Sequence, residues 1–254
     1  MKTLFLATAA VAAFAAAPAL AQTAPTGSIG AAWAHSEVDA GLGMTAEGEG
    51  GVIDGNFAGP IFGDWTVTAG ASVSWADGAF DEDRPLSGQV HLTRRSGDLR
   101  AGGFISAADA GGETLTSIGA EVQKYMGQMT LSGSLAFSTM ESADVISAAA
   151  DLGYYPMDNL RLNVGLSGGQ IEFTGTNAEF YSAGVGAEYQ IANTPISLFT
   201  AYDRTTIDDA DLDIDTVSFG LRYSFGADTL QAREQSGADL GRTVGGLAGA
   251  LSGL

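Results

Sequence analysis

From Gly27 to Phe225 apolar and polar residues alternate with a period of two, in segments of about ten residues, the pattern of strands with one apolar and one polar face. In TVSFGLRYSF, Val217, Phe219, Leu221, Tyr223 and Phe225 share one face, while Thr216, Ser218, Gly220, Arg222 and Ser224 share the other. In LRLNVGLS, Leu160, Leu162, Val164 and Leu166 oppose Arg161, Asn163, Gly165 and Ser167. In WTVTAGASVSW the apolar stripe begins at Trp65 and ends at Trp75, the placement that two membrane interfaces select.

The same reading predicts strands at 27–36, 49–59, 65–76, 86–95, 99–107, 114–125, 128–139, 144–155, 160–170, 178–190, 195–204 and 214–226. Short links (GPIFGD, RSGD, MGQ, PMDN, ANTP) follow the even strands and longer acidic links follow the odd ones. An even strand number with alternating link lengths predicts an all-β fold, a closed antiparallel transmembrane β-barrel of about twelve strands, with short periplasmic turns and longer external loops. Both termini are then expected in the periplasm. A soluble β-sandwich also alternates. Against it stand the length of the strands, the aromatics on the apolar faces, and the Ser, Thr and Gly on the polar ones.

The first residues extend the picture. Lys2, the apolar run LFLATAAVAAFAAA, Pro18 and the small-x-small site Ala19-Leu20-Ala21 read as a cleavable signal peptide over 1–21. The run is short for a membrane-spanning helix. The barrel is expected over 22–226, and 227–254 as a periplasmic tail whose apolar close, VGGLAGALSGL, is too rich in Gly to favour a helix. The chain contains no Cys, so disulfides, thiol nucleophiles and thiolate metal sites are excluded. Removing residues 1–21 takes away one Lys and no acid, so 10 basic residues face 30 acids and the formal charge is −20. Nucleic acid is excluded as a partner because a phosphate backbone needs a basic face.

At the aromatic-rich final strand, VSFGLRYSF, the chain resembles small porin-like outer-membrane proteins of Gram-negative bacteria. The resemblance implies an outer-membrane location, with lipid and lipopolysaccharide as surroundings. It also implies that a terminal strand ending in an aromatic is read by the barrel-assembly machinery, with Tyr223 and Phe225 as that signal. This chain continues 29 residues beyond Phe225, which is a departure from the common pattern.

Two groups of charges carry the functional expectations. Of the 30 acids, 20 fall in the six longer links: 4 in 37–49, 4 in 77–83, 2 in 109–113, 2 in 141–144, 2 in 172–179 and 6 in 203–215; Arg84 and Arg204 are the basic residues beside them. Such an external mouth concentrates cations, although the same acids also serve simply as a solvated, repulsive surface. The run DDADLDID, with Asp208, Asp209, Asp211, Asp213 and Asp215, is a loose likeness of a calcium loop without its Gly and Glu, so no dedicated metal site is expected. The second group follows from strand parity. Asp54, Arg95, Arg100, Glu121, Asp151, Arg161, Glu188 and Arg222 all project inward near the periplasmic end, with Arg100 beside Glu121 and Arg161 beside Asp151 and Glu188. That belt reads as a pore constriction or as a structural ion-pair network.

Enzyme machinery is sparse. His35 in AWAHSEV and His91 in QVHLTRR are the two histidines, neither has a motif around it, and no phosphate loop, dinucleotide fingerprint or zinc spacing occurs. No cofactor is implied. Three functions therefore compete: a porin passing small hydrophilic solutes or cations, a structural or interaction barrel with a plugged lumen, and, behind both, a lipid-modifying enzyme. Lumen width separates the first two and is not readable from sequence.

Overall fold

In a computed structural model that describes residues 25–240 apart from 42, 78–84, 111 and 174, the chain is a closed barrel of 12 antiparallel strands. In order they are β1 (Thr26–Asp39), β2 (Thr45–Phe62), β3 (Trp65–Asp77), β4 (Leu86–Ser96), β5 (Leu99–Ala110), β6 (Glu113–Met126), β7 (Met129–Thr139), β8 (Ala143–Met157), β9 (Leu160–Phe173), β10 (Thr176–Gln190), β11 (Ile196–Ile207) and β12 (Leu212–Phe225). Each pairs with its neighbours in sequence, and β1 closes on β12 from Gly27↔Phe225 to Asp39↔Asp213. Closure leaves no unpaired edge, which a sheet within hydrocarbon requires. The expected signal peptide over 1–21 and the apolar close of the tail lie outside the described residues.

The alternation read in the sequence sorts the side chains as expected. Leu135, Ile146, Phe219, Leu221 and Tyr223 are exposed on the outer face, whereas Ser138, Ser147 and Ser224 are buried inside. Trp33, Trp75, Tyr181 and Tyr202 ring the outer face nearer the loop end, and Tyr154, Tyr189 and Tyr223 do so at the turn end, as two interfacial girdles should. At the turn end the links are tight. Gly97 (φ 62°) and Gly127 (φ 65°) take left-handed conformations that a side chain would resist.

At the loop end the strands run further than the alternation indicates. β5 and β6 pair as far as Ala110↔Glu113, β9 and β10 as far as Phe173↔Thr176, and β1 and β2 as far as Asp39↔Thr45. Many acids of the longer links, among them Glu37, Glu47, Glu172, Glu179, Asp213 and Asp215, therefore lie on strands rather than in free loops. Beyond the bilayer both faces of a strand meet water, so the ladder continues while the apolar alternation stops.

The lumen is asymmetric. Along β5–β8 and β10 an apolar cluster of Phe104, Ala108, Leu115, Ala136, Val145 and Phe180 fills the interior toward the loop end. Along β11, β12, β1, β2 and β3 the inward residues Ala201, Asp203, Thr216, Ser218, Ala34, Val52, Asp54 and Ser72 are only half-buried. Their accessible surface can face only the lumen, so this arc of wall borders the remaining space.

Candidate functional site: the charged floor of the lumen

Of the segment expected as a periplasmic tail, residues 227–240 are described, and they are packed against the barrel. Residues 227–240 fold back across the turn end of the lumen, where α1 (Leu230–Ser236) lies among the inward charges. Its local signals are ordinary ones. The Thr229 hydroxyl caps the N-terminus by accepting from the Ala232 amide, and Gly237 (φ 94°) ends the helix with its N–H on the Arg233 and Glu234 carbonyls. Leu230, Arg233 and Glu234, at helical spacings of three and four, form the buried face. Sequence reasoning missed this element because only one residue of that face is apolar. The caps Thr229 and Gly237 were the available signal.

Three consecutive residues, Arg233, Glu234 and Gln235, make the central docking contacts. Arg233, with 0% of its surface exposed, donates to both oxygens of Glu188 (Nη1–Oε1 3.0 Å, Nη2–Oε2 2.8 Å), to the Ser224 hydroxyl at 2.8 Å and, through Nε, to Asp239 at 2.7 Å. Glu234 meets Arg161 at 3.6 Å and accepts from the Thr130 hydroxyl. The Gln235 carbonyl accepts from Arg95 and Arg100, each at 2.9 Å. Farther along, Thr68 donates to the Gly237 carbonyl and Gln123 to that of Asp239.

The predicted belt is thus a real cluster with partly different partners. Arg222 bridges Asp54 and Glu188, each at 3.3 Å, beneath the Phe199 ring at 4.6 Å. Arg161 meets Asp151 at 3.5 Å, as expected, but not Glu188, whose oxygens are taken by Arg233, Arg222 and the Ser197 hydroxyl. Arg100 does not pair with Glu121; it donates to Tyr125 and Thr93, while Arg95 lies over the Tyr125 ring at 4.7 Å. Glu121 instead bonds Nδ1 of His91 at 2.8 Å. Both pairs do sit on neighbouring strands, Arg161 directly opposite Glu188, but their charges are claimed elsewhere: Glu188 by Arg233 from beyond the barrel, and Glu121 by His91. In α1 burial pushes the Glu234 carboxyl above its usual range, against the opposing pull of Arg161 and Thr130.

The acidic collar has a different geometry from the one expected. Asp213 and Asp215 share the outward parity of Val217 and Phe219, and both pair with Arg204, at 2.7 and 3.4 Å. Tyr202, on the outer face, donates to Asp215. Asp208 lies in a 3-10 turn (Asp208–Ala210), which Asp211 follows at φ 49°. Asp203 faces inward on the half-open arc. His35 stacks on Trp33 with centroids 6.1 Å apart.

Solved structures share this architecture. An outer membrane channel from Pseudomonas putida F1 aligns with a TM-score of 0.59 at 12% identity, covering 81% of this chain and 98% of that one. The fold is that of the porin-like outer-membrane barrels. The KdgM porin aligns at 0.51 with 10% identity over 77% of this chain and 99% of its own. The translocator domain of the autotransporter NalP from Neisseria meningitidis gives 0.51 at 16% identity, covering 86% of this chain and 98% of the domain. No family model matches the chain, and no curated relative matches it.

Proposed function

We propose that the chain is an outer-membrane channel through which small hydrophilic solutes diffuse passively, cations ahead of anions. The observation that carries the reading is the half-open arc of wall, on which Asp203, Thr216, Ser218, Asp54 and Ser72 are half-buried polar residues. It leads from the acidic collar past Asp203, Thr216 and Ser72 down to Asp54 and Arg222. Asp203 and Asp54 put carboxylates on that arc, and the collar acids add negative potential within about a Debye length, roughly 8–10 Å. Residues 1–21 act as the export signal, the turn end faces the periplasm, and Tyr223 and Phe225 present the assembly signal where β12 closes on β1. Catalysis has no part in this reading: His91 is engaged by Glu121 in the interior and His35 lies against Trp33.

The complete burial of Arg233 favours a second reading, a permanently plugged structural barrel. Single-channel current and reversal potential in a planar bilayer under a salt gradient separate the two. Conductance with cation preference is expected once α1 is undocked. Anion preference removes the selectivity claim, and a folded barrel with α1 undocked that never conducts removes the channel.

A further inference from the structure

We infer that the turn end of the lumen is a binding site for an arginine-centred helical peptide, that residues 229–239 are its resident ligand, and that the channel is shut while the ligand is docked. The last clause rests on the channel reading above; the first two do not.

The contacts are those of recognition rather than of a core. The buried face of α1 holds one apolar side chain, Leu230, beside Arg233 and Glu234. Docking therefore depends on charge-assisted hydrogen bonds, for which water competes on release. Each is stereospecific. A planar guanidinium is gripped by both oxygens of Glu188 and by Ser224, a carboxylate by Arg161 and Thr130, and a main-chain carbonyl by two adjacent arginines. At Gly237 an added Cβ would lie 2.6 Å from Nη1 of Arg100, so the site also demands glycine there.

The wall is complete without its ligand. The tail contributes no strand to the barrel, whose ladder closes through β1 and β12. Among the described residues, each wall charge that touches the tail also has a partner within the wall. Glu188 retains Arg222 and Ser197, Arg161 retains Asp151, and Arg100 retains Tyr125 and Thr93. Arg95 keeps the Tyr125 ring and the Gly97 carbonyl. Leaving a buried group without a partner is what usually locks such a contact, whereas on departure Glu188 and Arg161 keep opposite charges and Arg100 and Arg95 keep neutral hydrogen-bond partners. The site is therefore built to be emptied and refilled. Because the tether from Phe225 to Thr229 is short, the resident segment holds it at a high effective concentration.

The test uses the full-length chain and two single variants, Arg233→Met and Gly237→Val, with β-sheet circular dichroism as the check of folding. Gly237→Val changes no charge, so it keeps the test informative should Arg233→Met fold poorly. The probe is a fluorescent synthetic peptide of residues 227–240, in native form and with Arg233→Met. The native peptide is expected to bind both variants on the order of a hundredfold more tightly than wild type, where the tethered segment competes, and the substituted peptide to bind neither. In bilayers the variants should conduct and the native peptide, added on the turn side, should close them. Equal binding to wild type and variants, or equal binding of the two peptides, overturns the binding site. Selective binding with no current in any form upholds the site and removes the channel.

Discussion

Arg233 on α1 and Glu188 on β10, 45 residues apart, face each other through two parallel hydrogen bonds of 3.0 and 2.8 Å. This fork joins the tail to the barrel, and through Arg222 it continues to Asp54 on β2. Glu188→Gln should weaken docking, because removing one charge strands the buried guanidinium, a loss of about 3–5 kcal/mol when no partner remains. Asp239 still accepts from Arg233, so the lower end of that range is expected. The measurement is thermal release of the tail, followed by fluorescence from a dye at an introduced, unique thiol. Unchanged release would mean that the fork is incidental to docking.

Gly237→Val should free the tail through geometry alone. A β-branched residue resists φ 94°, and its Cβ meets the Arg100 guanidinium. Trypsin should then cut after Arg233, which is fully buried in the wild type, while sheet content stays constant. Resistance equal to wild type would mean that the backbone shifts to accommodate valine.

Glu234 supplies a pH dependence whose sign follows from burial. Because its carboxyl titrates above the usual range when docked, docking takes up a proton. This contribution is fully present below the ordinary glutamate value of about 4.3 and is lost as pH rises through the elevated one. Glu234→Gln, which can still accept from Thr130, should dock as well as wild type at low pH and lose less as pH rises. Parallel pH profiles of tail release in the two proteins would remove Glu234 as the titrating group.

Much of this was legible in the residues themselves. Period two located every strand, because Val217, Phe219 and Leu221 must meet lipid while Ser218 and Arg222 must not. Strand ends such as Glu37 and Glu172 were not legible, since a strand wet on both faces carries no alternation. Parity also placed the belt residues inside. Arg161 with Asp151 was legible too, but two partners escaped: Glu188 is claimed by Arg233, from a helix whose buried face reads as polar, and Glu121 by His91. Gly220 shows a further limit: parity puts it inside, yet an added Cβ would lie 2.3 Å from the Ala31 carbonyl oxygen.

Parity has a direct test. Replacing outward Phe219, Leu221 and Tyr223 together with Asp should block membrane insertion, because charge at the bilayer midplane costs about 2–4 kcal/mol for a basic residue and somewhat less for Asp. Inward Ser218→Asp, on the half-open arc, should insert nearly normally. Membrane fractionation scores both, and equal damage would mean that β12 presents its faces the other way round.

Asp203 and Asp213 separate the two origins of cation preference. Asp203 projects from β11 into the half-open arc, whereas Asp213 lies on the outer face of the collar, bonded to Arg204 and Thr206. A charge lining the path acts on every passing ion across a few ångströms, while a collar charge acts through screened solvent and is already balanced by its arginine. Asp203→Asn should therefore move the reversal potential toward the anion side more than Asp213→Asn does, and its share should persist at high salt, where that of the collar fades. Stability should change little in Asp213→Asn, since the exposed pair with Arg204 is worth no more than about 1 kcal/mol. A larger shift from Asp213→Asn than from Asp203→Asn would place the selectivity in the collar and take the permeation path away from the β11–β3 arc.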